Sequence, residues 1–327
     1  MSRSSRLSRT VAVLCGAVSV ALLVASCSAP HAPASTSRNG PGTAVPTAPT
    51  IPPEPEGSAE YSLTSGGLSR TYRLYVPADL PDPAPLVVML HGGGGSGAIA
   101  ERAFGWDAKA DEGRFVVAYP DGLGPAVPAW NTLGDCCGYP AREGVDDVGF
   151  IQDMVAAIGS RIPLDDKRIY ATGMSNGGMM AYTLACRTDL FAAIGPVSAT
   201  MLDPCEHPAP ASVIHIHGLR DTNVPFSGAK GTGTAAIDGP PIEQVIDDWR
   251  TTDDCATATT VAAGVVTTST STCAEGRAVE LITIADGAHG WPTKPAARRT
   301  GKDGTGPSDA LDATDTIWRF FSAHPKP

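Results

Sequence analysis

The chain has 327 residues, of which 42% are hydrophobic and 18% charged, and a formal net charge of −10. That much apolar content can bury a full core in one large domain or two small ones, which excludes a chain disordered throughout. The acidic balance makes nucleic acid and anionic membrane surfaces poor partners.

Arg3, Arg6 and Arg9 stand in the first ten residues without an acid, and residues 11–24 are an apolar run too short to cross a membrane. Ala25 and Ser26 before Cys27 resemble a bacterial lipobox, in which the cysteine becomes the lipid-bearing first residue of the mature protein. Ordinary cleavage near Ala25 or Ala29 is the other reading, and both export the chain. Residues 1–26 are therefore expected to be a signal peptide of the lipoprotein type. Residues 27–58 are almost all Pro, Ala, Ser, Thr and Gly, too little apolar surface to offset ordering entropy, and read as a disordered tether. Residues 59–327 remain as the folded domain.

Within that domain, residues 61–64 and 70–76 read as a hairpin across Gly66-Gly67, with Tyr72, Leu74 and Val76 alternating. Residues 86–90 and 115–119 are short apolar runs bounded by turn signals, as strands buried on both faces are. Residues 148–162 place Val148, Ile151, Met154, Val155, Ile158 and Ile162 on one helical face, with Asp147 as the expected N-cap. A strand, turn and helix follow over residues 169–185. Further strands are expected at 192–197, 212–217 and 279–284, and helices at 241–251 and 310–323. Strands alternating with helices imply an α/β fold, a mostly parallel central sheet with helices on both faces.

Setting aside Cys15 and Cys27, six of the eight cysteines remain: Cys136, Cys137, Cys186, Cys205, Cys255 and Cys273. An even set in an exported chain reads as three disulfides. Cys255 and Cys273 flank a Thr/Val-rich stretch and form the local pair. Adjacent cysteines bond each other poorly, so Cys136 and Cys137 are each expected to reach one of Cys186 and Cys205, with the connectivity open. A zinc site would want a Cys-x-x-Cys spacing, which is missing, so no metal is expected.

Ligands of open α/β sheets bind beyond the carboxyl ends of the strands. After residues 86–90 comes His91 and a glycine run. Gly92, Gly94 and Gly97 satisfy Gly-x-Gly-x-x-Gly, and Asp121 ends the next strand, a superficial dinucleotide fingerprint. The preferred reading is a His-Gly-Gly loop whose backbone N–H groups help form an oxyanion hole, and no cofactor is expected. Within residues 169–185 the turn is Gly173-x-Ser175-x-Gly177, the strained strand-to-helix elbow that exposes a nucleophilic serine. Asp221 follows the strand at 212–217 as the candidate acid, with Asp286 as its rival, and His289 follows the last strand between small residues. The order Ser175, Asp221, His289 is that of α/β-hydrolases. His215 and His217 share a strand face and could hold a metal, but no third ligand is evident, so they read as hydrogen-bonded core or rim residues. His91 reads as structural.

Six segments carry a resemblance: LHGGGGS from Leu90, WNTLGDCCG from Trp130, VDDVGFI from Val145, IYATGMSNGGMMAYTLAC from Ile169, HIHGLRDTNVPF from His215 and AHGWP from Ala288. Together they resemble the polyhydroxybutyrate depolymerase and feruloyl esterase group of α/β-hydrolases, in particular exported actinobacterial lipoprotein esterases. The resemblance implies an α/β-hydrolase fold and a serine esterase. It makes Ser175 the nucleophile, His289 the general base and then acid, and Asp221 the residue that holds the imidazole tautomer. The oxyanion donors would be the N–H of Asn176 and one of Gly93 or Gly94. Trp130 and Trp291 become candidates for the substrate wall, against plain packing under the loops. Asp146 and Asp147 read as structural, capping the next helix and pinning the disulfide loop. No stretch resembles an appended polymer-binding domain, so soluble or oligomeric esters are the expected substrates. Membrane contact is expected only through the lipid anchor. The alternatives are a cell-wall acyltransferase on the same triad and a non-catalytic surface-binding module of hydrolase fold.

Overall fold

The computed structural model describes residues 56–134, 136–206, 208–233, 236–293 and 308–327. The leader at 1–26, Cys27 and almost all of the 27–58 segment lie outside the described residues. Ten strands are described: β1 (Gly57–Ser65), β2 (Leu68–Val76), β3 (Ala84–Leu90), β4 (Val116–Pro120), β5 (Leu164–Met174), β6 (Ala193–Val197), β7 (Ser212–Gly218), β8 (Thr259–Ala263), β9 (Val266–Thr272) and β10 (Ala278–Ile284). They form one sheet in the order β1-β2-β4-β3-β5-β6-β7-β10-β9-β8. The six inner strands from β4 to β10 run parallel, and antiparallel hairpins finish both sides.

Alternation along each strand explains the two helical layers. Leu86, Val88 and Leu90 of β3 face one way, into a core completed by α4 (Asp147–Gly159), α5 (Asn176–Arg187) and α6 (Ile242–Thr252). Val87 and Met89 face the other, against α1 (Gly97–Phe104), α2 (Trp106–Gly113) and α7 (Ala313–Ala323). One short helix, α3 (Gly138–Arg142), sits in the loop after β4. The chain leaves β3 for β4 on one side and returns to β5 on the other. The strand order therefore reverses at β3, which opens a crevice there at the carboxyl ends.

Several expectations need correction. The first strand begins at Gly57, so the fold claims the last residues of the expected tether. The cap of α4 is Asp146, whose side chain accepts from the Gly149 N–H; Asp147 is buried one residue further on. Asp147 instead joins Arg70 at 2.7 Å and accepts the Asn131 N–H at 2.7 Å, pinning the loop after β4. The helix expected at 310–323 starts at Ala313, capped by Asp312.

The disulfides also differ: Cys255 pairs with Cys273 as expected, but Cys186 pairs with Cys205 and Cys136 with Cys137. Arg187 at the end of α5 grips Asp203, which folds the loop after β6 back over that helix and sets Cys205 opposite Cys186, with Cα atoms 5.5 Å apart. That leaves the adjacent cysteines to each other. The peptide between them is cis, and their Cα atoms are 3.0 Å apart. Three disulfides among the described residues fit an oxidising, exported setting.

Candidate active site

The elbow is built by two close approaches. A Cβ on Gly173 would lie 2.5 Å from the backbone of Gly177, and one on Gly177 would lie 2.2 Å from the Leu90 carbonyl oxygen. Only glycine lets β5, α5 and β3 come together in this way. Ser175 sits between them at φ 55°, a left-handed conformation that costs a non-glycine residue on the order of 1–3 kcal/mol. Its N–H donates to Val197 O at 2.9 Å, and its carbonyl accepts from Met179 N–H at 2.9 Å. The serine is held from both sides.

Behind it, Asn176 opens α5, where first-turn N–H groups have no acceptor within the helix. Its side chain is clamped by the Trp130 backbone: Oδ1 accepts the Trp130 N–H at 2.8 Å and Nδ2 donates to Trp130 O at 3.1 Å. The glycine loop after β3 lies against this pair. A Cβ on Gly92 would meet Ser175 Cβ at 3.7 Å, and one on Gly93 would meet Asn176 Cβ at 4.0 Å. The Gly94 N–H is engaged by Pro128 O and the Gly95 N–H by Gly92 O, whereas the Gly93 N–H has no acceptor among the described residues.

His91 is buried and supports the loop. Its Nε2 accepts the Gly122 N–H at 2.9 Å, so its proton is on Nδ1 and is donated to Gly92 O at 2.8 Å. Burial lowers its pKa, which keeps that tautomer neutral. Asp121, the acid of the dinucleotide pattern, is spent on structure: its oxygens accept the Gly97 N–H at 2.7 Å and the Thr71 hydroxyl at 2.8 Å.

Because β7 and β10 are parallel neighbours, the loops that leave them run side by side, tied by Leu219 N–H to Ile284 O and Arg220 N–H to Gly287 O. This brings together two residues 68 positions apart: His289 Nδ1 donates to Asp221 Oδ2 at 2.7 Å. The other carboxylate oxygen of Asp221 accepts the N–H groups of Asn223, at 2.8 Å, and Val224, at 2.9 Å. The rival acid Asp286 is exposed and takes no part. Ser198, which the sequence reading missed, steadies the imidazole loop through its hydroxyl, which lies 3.1 Å from Gly290 O and 3.3 Å from Gly290 N. It follows β6 at φ 49°, and a serine after a strand carries no signal of its own.

A cavity of about 590 Å³ occupies the crevice, and Ser175, Asn176, His289 and Gly92 to Gly95 all line it. The Ser175 hydroxyl and the His289 ring share this space without a hydrogen bond between them. Ile99, Phe104, Val127, Met174, Met179 and Ile237 supply its apolar wall, Cys137 and Gly138 line it too, and no Asp, Glu, Lys or Arg among the described residues does. The two tryptophans are not part of that wall. Trp130 is fully buried beneath the loop, donating its indole N–H to His91 O at 2.9 Å. Trp291 packs on Phe104 with ring centroids 4.8 Å apart and donates to Thr314 Oγ1. Each supports a residue that lines the cavity, Trp130 through its indole N–H to His91 and Trp291 through its ring against Phe104.

A family model described as esterase PHB depolymerase matches residues 70–230. The Nocardia uniformis subsp. tsuyamanensis protein NocK, named as an esterase, is 32% identical over 251 residues, which cover 69% of this chain and 72% of that one. The chain belongs to this esterase family. Feruloyl esterase C of Emericella nidulans is 28% identical over 265 residues, 78% of this chain and 84% of that protein. Among solved structures, an acetyl xylan esterase from Aspergillus awamori shares the fold, with a TM-score of 0.57 at 16% identity over 81% of this chain and 99% of its own. The protein is a carboxylic-ester hydrolase of α/β-hydrolase fold.

Proposed function

We propose that this esterase works through an acyl-enzyme on Ser175, with His289 as general base and then acid and Asp221 holding the imidazole. The observation that carries the reading is the 2.7 Å Asp221–His289 hydrogen bond at the edge of the cavity that also holds Ser175. With Asp221 accepting at Nδ1, the unprotonated Nε2 is the nitrogen left to take the Ser175 proton. Hydrogen bonds of that kind commonly tighten only once substrate is bound. As Oγ adds to the ester carbonyl, the developing oxyanion is held by the N–H groups of Asn176 and Gly93, each worth about 3 kcal/mol in the transition state. Gly94 drops out as a donor because Pro128 already occupies it. His289 then protonates the departing alcohol, and water, activated by the same imidazole, frees the acid.

The cavity's uncharged, largely apolar lining supports a neutral ester with an apolar acyl or alcohol group, such as a hydroxyalkanoate oligomer or a feruloylated or acetylated sugar. Export as a lipid-anchored protein is part of the proposal and rests on the leader and Cys27 in the sequence. The test is hydrolysis of a panel of p-nitrophenyl and feruloyl esters by the wild type and Ser175→Ala. Turnover by the wild type and its loss in the variant are expected; equal turnover by both would end the proposal.

A further inference from the structure

Behind Asp221 lies a file of three buried side chains that do not line the cavity. Tyr182 on α5 has its hydroxyl 2.7 Å from His215 Nδ1; His215 Nε2 is 2.9 Å from His217 Nδ1. His217 Nε2 is 2.8 Å from Val224 O and 3.6 Å from Asp221 Oδ2. Both imidazoles are fully buried, their rings nearly parallel.

Elimination fixes the protons along this file. The Val224 carbonyl can only accept, so His217 Nε2 carries a proton and donates it. In a neutral ring Nδ1 must then accept, so His215 donates from Nε2. His215 Nδ1 accepts in turn, and the Tyr182 hydroxyl donates to it. Burial lowers the pKa of both histidines and raises that of the tyrosine, so all three stay neutral and the direction is preserved. The file adds no cation that would compete with His289 for Asp221.

Filling this volume with leucine or phenylalanine would spare the desolvation of three polar groups, so simple packing does not account for them. The end of the file does. Val224, whose carbonyl His217 holds, belongs to the same turn whose Asn223 and Val224 N–H groups grip Asp221 Oδ1. We propose that Tyr182, His215 and His217 are positioning residues that lock this turn and so aim Asp221 Oδ2 at His289. The inference rests on Asp221 being the triad acid.

The experiment compares His217→Leu, His217→Gln and Tyr182→Phe for kcat and KM on p-nitrophenyl acetate, per active site titrated with a fluorophosphonate, with Asp221→Asn alongside. Leucine severs the file. It is expected to lower kcat by about 10- to 100-fold with KM within about twofold, the cost of a misaimed catalytic group. Glutamine can place an amide N–H near Nε2 and is expected to restore kcat to within about fivefold of the wild type. Tyr182→Phe removes only the far donor, keeps the packing and is expected to lower kcat about threefold; it carries the test if His217→Leu does not fold. Wild-type kcat in His217→Leu or in Tyr182→Phe, or no gain from glutamine over leucine, overturns the inference. If Asp221→Asn is inactive while the file variants keep wild-type kcat, only this inference fails. If Asp221→Asn keeps its activity, the triad reading fails and the inference with it.

Discussion

Asp221→Asn separates the charge of that residue from its shape. In the wild type, one carboxylate oxygen takes two backbone N–H groups and the other takes the imidazole N–H. An amide has a single oxygen to offer. Turning it toward His289 would strand two N–H groups against the amide nitrogen, at about 1–3 kcal/mol for each buried donor left unmade. The oxygen therefore stays with Asn223 and Val224, and the amide N–H faces His289 Nδ1. That nitrogen must then accept, which moves the ring proton to Nε2, where it blocks removal of the Ser175 proton. The expected loss is about 10⁴-fold in kcat, or about 5.4 kcal/mol, with KM little changed because no cavity contact is lost. The assay is steady-state hydrolysis of p-nitrophenyl acetate, with urea unfolding to show that the fold survives. A kcat within about tenfold of the wild type, when Ser175→Ala is inactive, would refute the tautomer argument.

Three further outcomes are expected. Gly177→Ala drives a methyl group into the Leu90 and His91 carbonyls and should cost about 3 kcal/mol or more; an unchanged urea midpoint would contradict the packing described for the elbow. Replacing Cys255 and Cys273 with serine opens a loop with a sequence separation of 18 and should cost about 3 kcal/mol, read as a fall in midpoint under oxidising conditions. Equal midpoints for variant and wild type would count against the pairing. Asp253 is buried 3.1 Å from Arg277 Nε, and desolvation outweighs that partner, pushing its pKa up to about 7 from the usual 3.8. The native state then keeps a proton that the unfolded chain releases, so this contribution to stability is full below about pH 4 and is lost as the pH rises through 7. Asp253→Asn should remove on the order of 3 kcal/mol of that decline, and identical pH slopes for variant and wild type between pH 4.5 and 7.5 would exclude it.

What the sequence makes legible follows from where burial leaves a periodic trace. The strand β3 is buried at all seven positions and reads as a continuous apolar run, and the glycines of the elbow stand out because backbone approaches there leave no room for a Cβ. The β8–β9 hairpin went unseen for the opposite reason: every β8 residue is exposed, and a Thr/Ala strand with no buried face has no alternation to read. Helices α1, α2 and α3 are at most eight residues long, too short for a helical period to emerge. At the site, the parallel strands β7 and β10 explain why an acid and an imidazole far apart in sequence meet, an adjacency that strand order alone decides. The disulfide pairing turned on the Arg187–Asp203 contact, which residue types do not announce. Trp130 and Trp291 flank the right motifs but act from behind the wall, a distinction that only side-chain direction settles.

The most direct measurement is the site of covalent capture. Incubation with a fluorophosphonate, digestion and mass spectrometry should find the adduct on the peptide that contains Ser175 and on no other, with labelling slowed by several powers of ten in His289→Ala. An adduct on a different residue, or undiminished capture in His289→Ala, would contradict the account.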